Sequence, residues 1–243
     1  FTLYNYQTLL TRSQMYHAGL VSLARTVLST VLGVFSTAMA AYIISRKEFV
    51  LRRFVSFVYV LTMYIDGGLV PTYFLMRSLG LTNSFWVYVI PGLVSAFNLI
   101  VIRTYIAGLS ESYVESARID GAGEFTIFLQ IILPLCKPVL ATIALFIAVD
   151  NWNAWFDTFL YNSANADLST LQYELMKVLQ SANTMSGSLL QALSRAAAGT
   201  TNTVTPKSIR ATMTIIVSVP IVIVYPFLQR YFVHGLTLGG IKE

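Results

Sequence analysis

The sequence predicts an all-α fold, a polytopic membrane helical bundle, on three observations. Of its 243 residues, 56% are apolar and only 11% are charged, whereas soluble domains carry about 25% charged residues. The mean hydropathy is +0.66. The charges are bunched, leaving apolar gaps of roughly 20 residues, the length a helix needs to cross a hydrocarbon core about 30 Å thick. Short Lys and Arg clusters beside those gaps read as topology signals, so the net charge of +5 does not imply nucleic acid.

Five stretches are long enough to span: residues 19–44, 54–78, 84–108, 134–160 and 209–233. Between the first two lie Arg46, Lys47, Arg52 and Arg53, and the positive-inside rule puts that short loop in the cytoplasm. Alternation then places 79–83 outside, 109–133 inside, 161–207 outside and the tail with Arg230 and Lys242 inside. Arg12, Arg25, Lys177, Arg195 and Lys207 fall on the outer side. The first residue is Phe1, and residues 1–18 have no basic start and apolar centre of a signal peptide. The reading therefore expects a further anchor helix upstream.

Several spans carry residues that a passive anchor would avoid. Asp66-Gly67-Gly68, with Pro71, interrupts the second, Asn98 and Arg103 lie in the third, Asp150 to Asn153 in the fourth, and Pro220 and Pro226 in the fifth. Intramembrane charges are costly and normally face a cavity or a partner, and backbone breaks survive only where protein or water satisfies the freed groups. Asp66 reads as a group that neutralises a partner helix. Tyr64, Asn98, Asn151, Trp152, Asn153 and Trp155 are the candidates for a polar path. Amides bond hydroxyls and aromatic faces stack on sugar rings; equally, tryptophans anchor at the interface and amides pack between helices. Both readings stand.

Other chemistry is scarce. The single cysteine, Cys136, excludes a disulfide framework and reads as a small core residue. His17 and His234 form no metal or catalytic pair. No phosphate-binding loop, nucleophile elbow or zinc-protease motif occurs. An intramembrane enzyme using Asp66 or Asp150 would need a second catalytic group, and a self-sufficient channel would need a symmetric filter.

The most informative block is residues 109–133. Ser112 and Glu115 have the spacing of a capping box, which predicts that a short helix starts there. Ala117 and Gly121 lie four apart beside Ser116, a surface a second protein can approach closely. Asp120-Gly121-Ala122-Gly123 gives a turn, and Phe125 to Leu133 leads through Pro134 back to the membrane.

From Glu115 through Gly121 and Ile131 to Pro134, this block resembles the EAA loop of importer-type ABC transporter permeases, with Ser116 where alanine is usual. Gly67 to Tyr73, Leu79 to Asn83, Ile119 to Ala122, Trp152-Asn153 and Gly235 to Gly240 are similar to the carbohydrate group, in the subunit type of the maltose transporter's smaller permease. Trp155-Phe156-Asp157 and Tyr225 to Gln229 resemble importers of complex oligosaccharides such as pectin or alginate fragments. The resemblance covers nearly the whole chain and implies one transmembrane permease domain, residues 1–243, with the type I ABC importer permease fold and a sixth, N-terminal span missing here. It implies an inner-membrane location, a second homologous permease subunit and two ATP-binding subunits gripping Glu115, Ser116, Ala117, Asp120 and Gly121. This chain would bind no cofactor, ATP and Mg being held by those partners. An extracytoplasmic sugar-binding protein would deliver an oligosaccharide against the 161–207 loop, with Asn183, Ser186, Gly199, Thr200 and Asn202 as contact candidates. Within 161–207, Leu171 to Ser181 and Ser188 to Ala198 read as surface helices. Amino acids or peptides remain alternative cargoes for the same loop.

Overall fold

Small residues let the first helix serve as the spine of the bundle. The computed structural model describes residues 13–184 and 211–223, all helix, turn or loop without strands. Helix α1 (Ser13–Ser45) begins earlier than the expected span and extends through 33 residues, about 50 Å at helical rise. It packs on α4 (Ala96–Ala107) and α7 (Lys137–Asn153). A Cβ on Gly33 would sit 3.3 Å from Ile147 Cδ1, so glycine sets how closely α1 and α7 approach. Ala38, Ala41, Leu99, Ile102, Ile143 and Cys136 fill the core between them. Such close approach by small residues is how helices gain contact in lipid, where no hydrophobic force drives them together.

Only α1 is an unbroken helix of spanning length among the described residues, and two bent helix pairs have the length and composition to cross as broken spans. The second stretch divides into α2 (Arg52–Thr62) and α3 (Leu69–Ser78), each about 16 Å long and too short to cross alone. Between them Asp66 Oδ1 accepts the Gly68 amide at 3.0 Å, and Gly68 has φ +83°, a left-handed angle that glycine adopts without Cβ strain. Asp66 thus caps a turn while its side chain stays exposed.

In the third stretch, 3₁₀ turns at Phe85–Tyr88 and Ile90–Gly92 precede α4 with a bend of 44°. The irregular backbone frees carbonyls, and α1 supplies donors: Ser29 to Tyr88 O (3.2 Å), Ser36 and Thr37 to Leu93 O (2.5 and 3.1 Å). The break is therefore satisfied by protein rather than lipid.

The expected run before Pro134 is a separate helix, α6 (Glu124–Leu135), bent by 83° from α7. Its residues Phe128–Ile132 are π-helical. Pro134 lacks an amide and its ring crowds the carbonyl four residues earlier; a π segment relieves this conflict. Helix α7 is followed by a break at Ala154-Trp155 and by α8 (Phe156–Tyr161). Helix α9 (Leu171–Thr184) follows the expected surface segment, but it buries Leu171 and Leu175 against Ala18 of α1 and Met213 of α10 (Ala211–Ile223). The expected helix at 188–198, the rest of the fifth span and His234 lie outside the described residues.

The loops pair at two ends. Residues 46–49 meet α5 (Ser112–Ile119) at one, while at the other Asn83 donates its amide to Tyr161 O (3.1 Å) and Asn162 Nδ2 to Ser84 O (3.2 Å).

Candidate functional site

Helix α5 has two faces of different character. Val114 and Ala117, three apart, are buried in the core, whereas Glu115, Ser116, Asp120 and Gly121 are exposed. Ala117 was expected at a partner contact; with 7% exposure it instead lets α5 pack tightly on its own chain. Gly121 has φ +80°, and no atom lies within 4 Å of where its Cβ would be. The glycine is required by backbone angle, not by crowding. The expected Ser112–Glu115 capping box does not form. Glu111 is the N-cap without a side-chain bond, and Ser112, already helical, donates its amide to Ser110 Oγ at 3.4 Å.

Arg118 clamps this helix to the end of α1. Its Nε and Nη2 donate to Glu124 Oε1 (2.9 and 2.7 Å), and Nη1 donates to Glu48 Oε1 (2.5 Å). Tyr42 donates its hydroxyl to Glu124 Oε2 at 2.6 Å, the Arg46 guanidinium lies 4.8 Å over the Tyr42 ring, and Lys47 pairs with Glu111. The bond from Tyr42, then the one from Arg118, hold the Glu124 carboxyl below its ordinary pKa, and Arg118 does the same to Glu48. Solvent screens exposed pairs of this kind, so they fix orientation more than they add stability. Glu115 and Asp120 make no side-chain bond among the described residues, so their carboxylates remain open to a partner.

A second polar node lies in the bundle near its other end. Arg25, 3% exposed, forks onto both oxygens of Asp157, donates Nη1 to Ala154 O (3.3 Å) and Nε to Asn151 Oδ1 (3.4 Å), and sits 4.6 Å over the Tyr88 ring. It is therefore a buried structural charge. A mid-helix arginine between Leu23 and Val27, with an aspartate in the predicted fourth span, is the signal that could have revealed the pair. Two cavities adjoin this node, of about 300 and 710 Å³, sharing Gly92, Asp150 and Asn151.

Of the expected path residues, Asn98 and Asn151 line the larger cavity. Tyr64, 82% exposed in the α2–α3 break, Asn153, exposed, and Trp155, edge-on to Phe156 at 5.7 Å, line neither cavity. Trp152 Nε1 donates to Val217 O at 2.9 Å, and the ring packs with α9 and α10. This contact favours the packing reading over the path reading. Trp152→Ala should then cost about 3 kcal/mol and reduce assembly and uptake in parallel, as read by thermal midpoint and vesicle uptake; an uptake loss with an unchanged midpoint would instead mark contact with cargo. The remaining candidates, Ser186, Gly199, Thr200 and Asn202, lie outside the described residues, as does the side chain of Asn183.

The family model of the binding-protein-dependent transport system inner membrane component matches residues 29–238. The chain is 33% identical to the polygalacturonan/rhamnogalacturonan transport system permease protein YtcP of Bacillus subtilis, covering 100% of this chain and 82% of the relative. It is 30% identical to the arabinooligosaccharides transport system permease protein AraQ of Halalkalibacterium halodurans, covering 89% and 71%. A crystal structure of a bacterial ABC transporter involved in import of the acidic polysaccharide alginate superposes with a TM-score of 0.79 at 29% identity, over 94% of this chain and 79% of that one. The chain belongs to the family of binding-protein-dependent transport system inner membrane components, as a permease subunit of an ABC importer and a transport component rather than an enzyme.

Proposed function

We propose that this permease imports oligosaccharides delivered by an extracytoplasmic sugar-binding protein and is driven through α5 by separate subunits that hold ATP and Mg. The observation that carries the reading is the division of α5: one face locked to its own chain, the other offering Glu115, Ser116, Asp120 and Gly121. A helix held this way passes on a push instead of absorbing it. Closure of the ATPases beneath α5 would move Arg118, and with it Glu48 in the loop after α1 and Glu124 at the start of α6. The residue 45–53 and 109–133 loops then face the cytoplasm, while the 161–207 segment, which opens with α9, faces the binding protein. A second permease subunit closes the open side of the two cavities. Asn98, whose amide can bond hydroxyls, beside Phe97 and Phe146 supports a sugar as cargo, as do the substrates for which the relatives are named.

The test is uptake by vesicles holding the whole importer, its ATPases inside and its binding protein outside. Labelled oligosaccharides should accumulate with ATP and labelled oligopeptides should not. Accumulation of peptides alone would overturn the sugar reading.

A further inference from the structure

We propose that Asp150 sets the charge of the cargo, selecting uncharged oligosaccharides over uronic-acid chains; this rests on the oligosaccharide reading above. The walls of the two cavities carry three charged side chains among the described residues, Arg25, Asp150 and Asp157. The one cation is fully engaged. Arg25 directs its guanidinium nitrogens to Asp157, Ala154 O and Asn151 and is 3% exposed, so it has no free edge for a sugar carboxylate.

Asp150 is the opposite case. It is exposed, lies where the two cavities share a wall, and its carboxylate makes no hydrogen bond or ion pair among the described residues. An ionised carboxylate only accepts hydrogen bonds. It suits sugar hydroxyls, which donate, and it opposes a second carboxylate brought close in a site partly shielded from water. The other polar groups beside it, Ser95, Asn98 and Asn151, are neutral. The walls of these two cavities therefore offer a uronate no uncommitted cation, and repulsion of the wrong cargo is a direct route to specificity.

The experiment compares two probes that differ only at the sugar's sixth carbon, galactotetraose and tetragalacturonate. Each is supplied at a concentration that saturates the binding protein in the reconstituted importer. The wild type should import the neutral chain at least about tenfold faster, a difference of ~1.4 kcal/mol. Asp150→Asn, and Asp150→Ser as a second neutral variant, should narrow that ratio severalfold by speeding the charged chain, and Asp150→Glu should keep it. A wild-type preference for tetragalacturonate, or a ratio unmoved in both neutral variants, overturns the assignment while leaving sugar import intact. Import of neither sugar alongside import of peptides would remove the oligosaccharide reading itself, and the role of Asp150 with it.

Discussion

Asp157→Leu should destabilise the bundle by about 3 kcal/mol or more, because breaking a buried ion pair strands its partner. The loss is not symmetric between the two residues. Arg25 is 3% exposed and Asp157 25% exposed on their side chains. Removing the carboxylate leaves a guanidinium with only Ala154 O and Asn151 Oδ1 as acceptors, deep in the packed helices. Removing the arginine leaves a carboxylate that can still reach water and that also accepts the Thr158 amide at 2.9 Å. Asp157→Leu should therefore be worse than Arg25→Met. The double variant should recover most of the loss, since apolar replacement of both members of a buried pair is often neutral. Denaturant midpoints of the detergent-purified importer measure all three. If the double variant is no better than Asp157→Leu alone, the pair is not a coupled unit and the stability of this node resides in the surrounding contacts.

The pair also shows how far sequence alone reaches. The helical class, the sides of the bundle that loops share and the exposed turn at Gly121 follow from hydropathy, charge clustering and turn chemistry, which act locally. Asn98 and Asn151 were legible as polar residues in apolar stretches. What was not legible depends on which groups meet across the fold. Arg25 shows no partner in the sequence until α7 breaks at Ala154 and aims Asp157 back at α1. Ala117 looks like a docking residue because small side chains serve both purposes; only the packing of α5 shows which face turns inward. Trp152 has an indole N–H that needs a partner, and the partner, Val217 O, lies 65 residues away. The broken spans were partly foreseen at Asp66-Gly67-Gly68. They were missed at residues 85–95, where the compensation comes from hydroxyls of a different helix.

Glu115→Lys should abolish coupled transport, lowering uptake by at least about tenfold, since a like charge set against a complementary partner surface costs several kcal/mol. The chain's own structure has little stake in this side chain. Glu115 is exposed and unbonded among the described residues, unlike Arg118 on the same short helix and Glu111 just before it. Its one local role is a favourable charge in the first turn of α5, a small effect near a helix N-terminus. Glu115→Gln removes that local charge without reversing it and should reduce uptake far less. Arg118→Ala makes the complementary case: α5 keeps its outward face but loses its ties to Glu48 and Glu124, so ATP hydrolysis should persist while uptake falls. Measuring ATPase rate and uptake on the same vesicles separates the two variants, because Glu115→Lys weakens engagement of the ATPases and Arg118→Ala weakens transmission after engagement. Full uptake by Glu115→Lys would show that the exposed face of α5 receives no force, and the drive would then have to enter the bundle elsewhere.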